Sequence, residues 1–268
     1  MQNDNEIKKI VKEKYGQIAK QSTSCRGPKS CCGAGSSKIV GYTIMKDDYT
    51  NLDGYVAEAD LGLGCGLPTE YAGIKKGDVV VDLGSGAGND VFVARAITGD
   101  EGRVIGIDMT REMIDKANRN NAKLDYKNVE FRLGEIEAMP LHDSVADVVV
   151  SNCVLNLVPS KQKAFAEIYR ILKPGGHFCV SDIVIKGELP EDLKNSAVMY
   201  AGCVAGAVQY DEYLKIIKET GFKNIEVKKT KTVDLPDEIL RLYLPDTEIK
   251  RYCENRVGIF SITVTAYR

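Results

Sequence analysis

The segment VVVDLGSGAGND, residues 79–90, is the most informative part of this sequence for the fold. It opens with the continuous apolar run Val79–Leu83, which indicates a strand buried on both faces. A turn with three glycines follows, Gly84, Gly86 and Gly88, and the chain then continues into the helix-like segment NDVFVARAI. Glycine lets the backbone turn sharply and lets a ligand approach it closely. The stretch therefore predicts a strand–turn–helix unit with a ligand site at the carboxyl end of the strand.

The sequence on either side repeats this alternation of strands and helices. Four more apolar strands are predicted at residues 103–107, 129–132, 145–151 and 177–183. Helices are predicted at residues 5–20, in TREMIDKANRNNA with Thr110 as N-cap, in KQKAFAEIYRIL, and within 190–220. KPGG predicts a turn before the fifth strand, and NIEVKKT and GIFSITVTAYR predict an antiparallel pair at the sheet edge. Buried strands that alternate with helices predict an α/β fold with a largely parallel sheet.

Composition limits the classes of protein to consider. The 268 residues, 44% hydrophobic and 28% charged, suit one large α/β domain or a domain with a modest appendage. A net charge of -2 provides no field that would favour nucleic acid or an anionic membrane. No apolar run reaches the roughly 18 residues of a membrane helix, and MQNDNEIKKIVKEKYGQ lacks the apolar core of a secretory signal. We therefore expect a cytoplasmic protein that binds neither nucleic acid nor membrane.

The chain contains eight cysteines, which in a reducing compartment are buried apolar residues, metal ligands or redox thiols. They are Cys25, Cys31, Cys32, Cys65, Cys153, Cys179, Cys203 and Cys253. The first three lie in SCRGPKSCCGAGSS, whose composition predicts a mobile loop. This loop has no C-x-x-C spacing and no nearby histidine, which disfavours a structural zinc site. Cys179 alternates with apolar neighbours in a predicted strand and is expected in the core.

The glycine turn by itself fits a dinucleotide loop, a methyltransferase loop or a plain turn. Its G-x-G-x-G spacing departs from the G-x-G-x-x-G nucleotide fingerprint. Asp82, just before the first glycine, would repel a pyrophosphate but attract a cationic aminoacyl group. Asp108 ends the second strand, where it can bind a ribose diol, a feature that NAD enzymes share.

At this point the chain resembles the class I S-adenosylmethionine-dependent methyltransferases. The matching stretches, in family order, are VVVDLGSGAG, GIDMT, GEIEAMP, DVVVSNCVLN and RILKPGGHFCVSD. The resemblance implies a Rossmann-like, seven-stranded, mostly parallel sheet with one antiparallel edge strand and a small C-terminal extension. It also implies a set of residues that contact the cofactor: Asp82, Gly84, Gly86, Asp108, Met109, Gly134, Glu135, Ile136 and Asn152. The alternative is that Met109 and Ile136 are core residues and Glu135 is a surface residue.

The acceptor must be inferred from other residues. Many methyltransferases use a general base, most often histidine, but His142 and His177 lie in a polar turn and at a strand start, where a structural role is expected. Cysteines occupy the informative positions instead: Cys153 follows Asn152, Cys203 lies in YAGCVAGA, and Cys65 lies in LGLGCGLP.

This combination resembles the arsenite methyltransferases, through KYGQI, GLGCGLP, SNCVLNLVP and YAGCVAGAVQY, over about residues 10–235. The resemblance implies that Cys65, Cys153 and Cys203 bind As(III), and that Tyr15 and Gly16 contact the cofactor. It also implies a further redox cysteine among Cys25, Cys31 and Cys32, between which it does not distinguish. We take Cys32 as the candidate catalytic residue.

The resemblance further implies S-adenosylmethionine as cofactor, arsenite and methylarsenite as substrates, and thioredoxin or glutathione as reductant. The domains expected are an N-terminal helix with a cysteine-rich loop (1–50), a cofactor-binding domain (51–185), and arsenic-site helices with edge strands and a C-terminal segment (186–268). Two alternatives stay open. A methyltransferase of a small organic acceptor would tolerate serine at Cys153 and Cys203, and a non-enzymatic metalloid-binding or sensing protein would not bind S-adenosylmethionine.

Overall fold

The computed structural model describes residues 4–21, 48–188, 206–233 and 258–268, with a few separate positions between 240 and 249. The seven strands are β1 Val79–Leu83, β2 Arg103–Asp108, β3 Val129–Leu133, β4 Ala146–Asn152, β5 Leu172–Lys186, β6 Lys223–Val233 and β7 Gly258–Tyr267. The helices are α1 Asp4–Gln21, α2 Pro68–Tyr71, α3 Asn89–Thr98, α4 Arg111–Leu124, α5 Lys161–Ile171 and α6 Tyr210–Glu219, with a short 3-10 turn at Leu155–Leu157. None of the helices in these ranges is long and apolar enough to span a membrane.

The strands form one sheet in the order β3-β2-β1-β4-β5-β7-β6. Strands β1 to β5 run parallel to one another, and β7 runs antiparallel to both β5 and β6. The predicted fold class and the predicted antiparallel pair are therefore confirmed. In detail, the antiparallel strand is β7, which lies one position inside the edge strand β6.

Strand β5 is longer than the sequence predicts. The KPGG segment does turn, but as a bulge inside the strand: Leu172 pairs with Ala146, whereas His177 pairs with Val148. Gly175 takes a φ of +80° at this bulge, where a side chain would be strained. At the other end, pairing with β7 extends the strand to Lys186. The apolar run alone shows neither extension.

The sheet is buried on both faces, as its apolar strands predict. Val81 and Leu83 pack in a core that includes Phe165 of α5, whereas Val80 packs in a second core with Phe92 of α3. Alternate residues of one strand therefore supply opposite cores. This arrangement leaves the carboxyl ends of the strands as the open edge of the domain.

Several predicted features lie outside the described residues. These are the cysteine-rich loop with Cys25, Cys31 and Cys32, the segment with Cys203, and Cys253. Helix α6 confirms the last part of the helical region predicted within 190–220, and the boundaries at residues 50 and 185 stay predictions.

Candidate active site

A cavity of about 1090 Å³, including its open mouth, lies at the carboxyl ends of β1, β2 and β4. Helix α1 and the turns that follow β1, β3 and β4 complete its walls. Ten residues predicted to contact a cofactor line it: Tyr15, Asp82, Gly84, Gly86, Asp108, Met109, Gly134, Glu135, Ile136 and Asn152. Gly16 does not line the cavity but is buried against α4. A Cβ added to it would lie 3.3 Å from the Glu112 carboxyl group.

The glycine turn after β1 forms the floor of the cavity. Gly84 has a φ of +66°, and a Cβ on it would lie 2.5 Å from the methyl carbons of Val154. Only glycine fits there. The Gly86 N–H donates to Asp108 Oδ2 at 3.0 Å, and the Thr110 N–H donates to Asp108 Oδ1 at 2.8 Å. These two bonds hold the Asp108 carboxyl group in one orientation at the end of β2.

The lining of this turn is acidic. Burial, together with the nearby carboxyl groups of Asp90 and Asp108, raises the pKa of Asp82 well above its ordinary value. Burial also raises the pKa of Asp108. Within the part of the chain that the structure describes, Ser85 Oγ and Asn89 Oδ1 are buried at the cavity without a hydrogen-bond partner. Carboxyl groups that lack a cation and polar atoms that lack a partner fit a ligand that is cationic and carries hydroxyl groups.

Helix α1 closes one side of the cavity through ion pairs. Lys8 Nζ lies 2.7 Å from Glu135 and 2.6 Å from Glu137, and Lys12 Nζ lies 3.1 Å from Glu135. Tyr15, one turn further along, lines the cavity. Lys8 and Glu137 were not predicted as site residues, although Glu137 stands two residues after Glu135 in GEIEAMP.

Cys65 lies in a turn that packs against β4, β5 and β7. It is 2% exposed. Its N–H donates to Asn152 Oδ1 at 2.9 Å, and its carbonyl oxygen accepts from Ser261 Oγ of β7. A Cβ on Gly64 would lie 2.7 Å from Asn152 Nδ2, and one on Gly66 would overlap the Ser181 side chain. The flanking glycines therefore allow Cys65 to approach the sheet.

Cys153 follows β4 and lines the cavity. It is a non-glycine residue with a φ of +59°, and its N–H donates to the Ser181 carbonyl oxygen at 2.7 Å. The segments that carry Cys65 and Cys153 therefore both contact Ser181 of β5. The structure brings together these two of the three predicted arsenic ligands, while Cys203 and the candidate Cys32 lie outside the described residues.

Tyr49 and Asp90 belong to the site but were missed. The Tyr49 hydroxyl donates to the Asp90 carboxyl oxygens at 3.1 and 3.0 Å and accepts from Asn152 Nδ2 at 2.6 Å. Burial raises the pKa of Asp90 to about 6, against the opposing effect of the bonds from Asn152 and Tyr49. Asp90 is the last residue of VVVDLGSGAGND, so the motif itself could have indicated that Asp90 belongs to the site. Tyr49 stands outside every motif.

Asp182 lies inside β5, whereas the predicted strand 177–183 places it near the strand end, where a carboxylate is usually solvated. It is 1% exposed, accepts from the Ile183 N–H and the Tyr213 hydroxyl, and burial raises its pKa to about 7. The expectation of a solvated carboxylate is therefore wrong, because β5 continues to Lys186 and α6 brings Tyr213 against the Asp182 carboxyl group.

The residues expected to be structural lie away from the cavity. His177 contacts the Ala72 carbonyl oxygen and stacks on Tyr267, and His142 is exposed. Cys179 is buried in the core, as its apolar neighbours predict.

Comparison with known proteins identifies the family. A sequence model described as a methyltransferase domain matches residues 74–221. The arsenite methyltransferase of Halobacterium salinarum is 42% identical over 85% of this chain and 62% of its own length. That of Aquipseudomonas alcaligenes is 32% identical over 88% of this chain and 68% of its own length, and the human one is 33% identical over 82% and 59%. The chain thus spans about three fifths of the length of most of these curated relatives.

A solved structure agrees with these relatives. The crystal structure of an arsenic(III) S-adenosylmethionine methyltransferase from Chlamydomonas reinhardtii superposes with a TM-score of 0.66 at 33% identity. The match covers 76% of this chain and 67% of that protein. The family predicted from the cysteine and glycine motifs is confirmed. The chain belongs to the S-adenosylmethionine-dependent arsenite methyltransferase family.

Proposed function

We propose that this protein transfers a methyl group from S-adenosylmethionine to As(III) bound by the thiolates of Cys65, Cys153 and Cys203. One observation carries the proposal: the segments with Cys65 and Cys153 both contact Ser181, and the Cys65 turn is hydrogen bonded to Asn152 in the cavity wall. Cys153 lines the cavity that fits the cofactor, and the turn that carries Cys65, far away in sequence, is hydrogen bonded to the same wall.

Thiolates suit this substrate because As(III) is soft and thiophilic. An arsenic atom held by three thiolates is pyramidal and keeps one lone pair. When bound, S-adenosylmethionine supplies a methyl group on a positively charged sulfur, and the carbon–sulfur bond breaks as the carbon–arsenic bond forms. The lone pair makes the new bond, so no proton has to be removed from the acceptor.

The residues of the site then have to bind, orient and exclude water rather than act as acid or base. Among the described residues that line the cavity there is no histidine. We assign the fixed Asp108 carboxyl group to a ribose diol, and the carboxyl group of Asp82 to the cationic aminoacyl end. A bound cation would favour the ionised form of Asp82, which burial disfavours in its absence. Tyr15, Met109 and Ile136 would contact the adenosine part.

Methyl transfer formally oxidises arsenic from the trivalent to the pentavalent state, and the thiols can return it. If a thiolate of the cysteine loop attacks the sulfur of Cys65, a disulfide forms and the arsenic–sulfur electron pair stays on arsenic. Two thiols of thioredoxin or glutathione then reduce the disulfide. Cys32, with Cys25 and Cys31 as alternatives, is our candidate for the loop thiolate. A cytoplasmic location would supply these reductants.

The test is to incubate the purified protein with arsenite, S-adenosylmethionine and excess thiol, and to measure methylated arsenic by chromatography coupled to mass spectrometry. We expect methylated products that disappear in Cys65→Ser, Cys153→Ser and Cys203→Ser. Cys179→Ala is the matched control, because this thiol is buried in the core away from the cavity. Replacement of all three loop cysteines by serine should stop repeated turnover.

Two results would overturn the proposal. Cofactor binding without methylated arsenic would indicate an organic acceptor, which small-molecule acceptors offered with labelled cofactor would identify. Methylation that survives in Cys153→Ser and Cys203→Ser would separate the activity from the thiols.

A further inference from the structure

Four residues form a chain of hydrogen bonds that runs in one direction through the buried wall of the cavity. The Cys65 N–H donates to Asn152 Oδ1 at 2.9 Å. Asn152 Nδ2 donates to the Tyr49 hydroxyl oxygen at 2.6 Å, and this hydroxyl donates to the Asp90 carboxyl oxygens at 3.1 and 3.0 Å. The chain therefore connects a predicted arsenic ligand to the first turn of α3, directly after the glycine turn.

The two ends of this chain dictate the direction of every bond between them. A backbone N–H can only donate, and an ionised carboxylate can only accept. The Tyr49 hydroxyl has two acceptors within reach, the Asp90 carboxylate at 3.0 and 3.1 Å and the Gly66 carbonyl oxygen at 3.2 Å. Its proton points to the nearer, charged Asp90, which leaves the hydroxyl oxygen to accept from Asn152. The Asn152 amide oxygen is then left for Cys65. A flipped amide would place two donors together at Cys65 and two acceptors together at Asp90.

Three of the four members of the chain are almost fully buried, and the fourth, Asn152, is partly exposed at the cavity. Tyr49, Asp90 and Cys65 are 4%, 8% and 2% exposed. A further bond from Asn152 Nδ2 to the Gly66 carbonyl oxygen, at 2.8 Å, holds the other side of the Cys65 turn. Buried chains of this kind strengthen one another and specify one arrangement.

We infer that Tyr49 and Asp90 are positioning residues, which orient the Asn152 amide so that it holds the Cys65 turn, and hence the Cys65 thiol, beside Cys153. This inference rests on the proposed arsenic chemistry of the thiols. It assigns Asn152 a role toward the thiol side in addition to its predicted contact with the cofactor. Neither Tyr49 nor Asp90 needs to touch arsenic.

The test compares Tyr49→Phe and Asp90→Asn with Tyr169→Phe, a control that removes a hydroxyl from α5, away from the cavity. Tyr49→Phe keeps the ring but removes the nearest of the three acceptors of Asn152 Nδ2, leaving the Gly66 carbonyl oxygen at 2.8 Å and Asp90 Oδ2 at 3.2 Å. We expect KM for arsenite to rise about tenfold, as loss of one charge-linked hydrogen bond implies, while KM for S-adenosylmethionine changes less than about twofold. Asp90→Asn should act like Tyr49→Phe, with a larger rise in KM for arsenite than in KM for S-adenosylmethionine. Tyr169→Phe should change neither KM.

A second measurement does not depend on methyl transfer. X-ray absorption at the arsenic edge counts the sulfur atoms bound to arsenic in the protein loaded with arsenite. We expect three in the wild-type chain and fewer in Tyr49→Phe, because the Cys65 thiol is no longer held in place. Unfolding curves and S-adenosylmethionine binding establish that each variant is folded.

The outcomes separate the two proposals. An unchanged sulfur count and unchanged KM for arsenite in Tyr49→Phe would overturn the positioning role. Equal increases in both KM values would also overturn it, because they would indicate general disorder of the cavity. A wild-type chain that binds arsenic through three sulfurs but never methylates it would refute the proposed function, and the sulfur count would still test the positioning of Cys65.

Discussion

The cofactor side and the thiol side of the cavity lie at the same edge of the sheet but are built differently. On the cofactor side, most of the wall lies at or directly after the ends of strands, as with the glycine turn after β1 and Asp108 at the end of β2, and α1 closes one side. On the thiol side, the Cys65 turn is inserted from outside the sheet. It is held by bonds to Asn152 and Ser261, which are 87 and 196 residues away in sequence.

This difference shows that local strand–turn geometry can build a cofactor site, whereas a set of convergent thiols needs long-range contacts. Each side depends on a glycine that has no room for a side chain. Gly84 lies against Val154, and Gly66 lies against Ser181. If the two sides are independent, a methyl group added at one glycine should impair one ligand far more than the other.

Gly84→Ala should have the largest effect. Its Cβ would lie 2.5 Å from the Val154 methyl carbons, at a φ of +66°. Left-handed strain and overpacking together cost about 4 kcal/mol, which corresponds to roughly 1,000-fold weaker binding of S-adenosylmethionine by calorimetry. Arsenite binding without the cofactor should change far less.

Gly73→Ala is the control for this prediction. Gly73 also has a positive φ, +59°, but no atom lies within 4 Å of an added Cβ. It should lose only about 1 kcal/mol of stability and keep its cofactor affinity. Equal loss of cofactor binding in both variants would contradict the role assigned to the contact with Val154.

Gly66→Ala is the reciprocal change on the thiol side. Its Cβ would lie 2.6 Å from the Cβ of Ser181 and would push the Cys65 turn away from the strand end. Overpacking of about 3 kcal/mol predicts roughly 100-fold weaker arsenite binding, measured as arsenic retained after equilibrium dialysis. Cofactor affinity should be preserved, and Ser181→Gly in the same chain should restore most of the arsenite binding. A parallel loss of both ligands would refute the independence of the two sides.

Asp182→Asn tests how the buried carboxyl group next to Ser181, on the thiol side, changes stability with pH. The pKa of Asp182 is about 7 in the folded state and has a reference value of 3.8, so the folded state binds more protons than the unfolded state between these values. Its contribution to stability is therefore greatest below about pH 4 and is lost as pH rises through about 7. In the wild type, the free energy of unfolding from urea titrations should fall between pH 5 and pH 7. In Asp182→Asn this fall should be smaller by about 2 kcal/mol.

Asp115→Asn, an exposed position on α4, should leave that pH dependence unchanged. If Asp182→Asn keeps the wild-type slope, Asp182 is ionised in the folded state throughout this range.

Lys8→Met should have the smallest effect, on the cofactor side. Lys8 joins α1 to Glu135 and Glu137, and partly exposed ion pairs contribute about 0.2–1 kcal/mol each. We expect two- to threefold weaker binding of S-adenosylmethionine, roughly 0.5 kcal/mol, and a smaller difference near 1 M salt, where the Debye length is about 3 Å. Lys9→Met, whose side chain is 76% exposed, should bind like the wild type. A Lys8 effect that is independent of salt would indicate packing rather than charge.

Much of the fold follows from the sequence because its signals are local. Apolar runs and alternation locate all seven strands, and β1, Val79–Leu83, agrees at both ends. The same reasoning fails at β5, whose length depends on its partner β7. It also fails at Asp182, because burial of that carboxyl group depends on Tyr213, 31 residues further along the chain.

Three features follow from the sequence alone: the α/β fold, the glycine turn with its two strand-end carboxyl groups, and the identity of the candidate thiols. These features depend on backbone geometry and on residues within a few positions of one another. The fold is needed to show that the segments with Cys65 and Cys153 both contact Ser181, and that Tyr49, 103 residues before Asn152, accepts a hydrogen bond from the amide of that residue. Hydrogen bonds between such distant side chains form only after the sheet brings the strand ends together, and no pattern in the sequence records their partners.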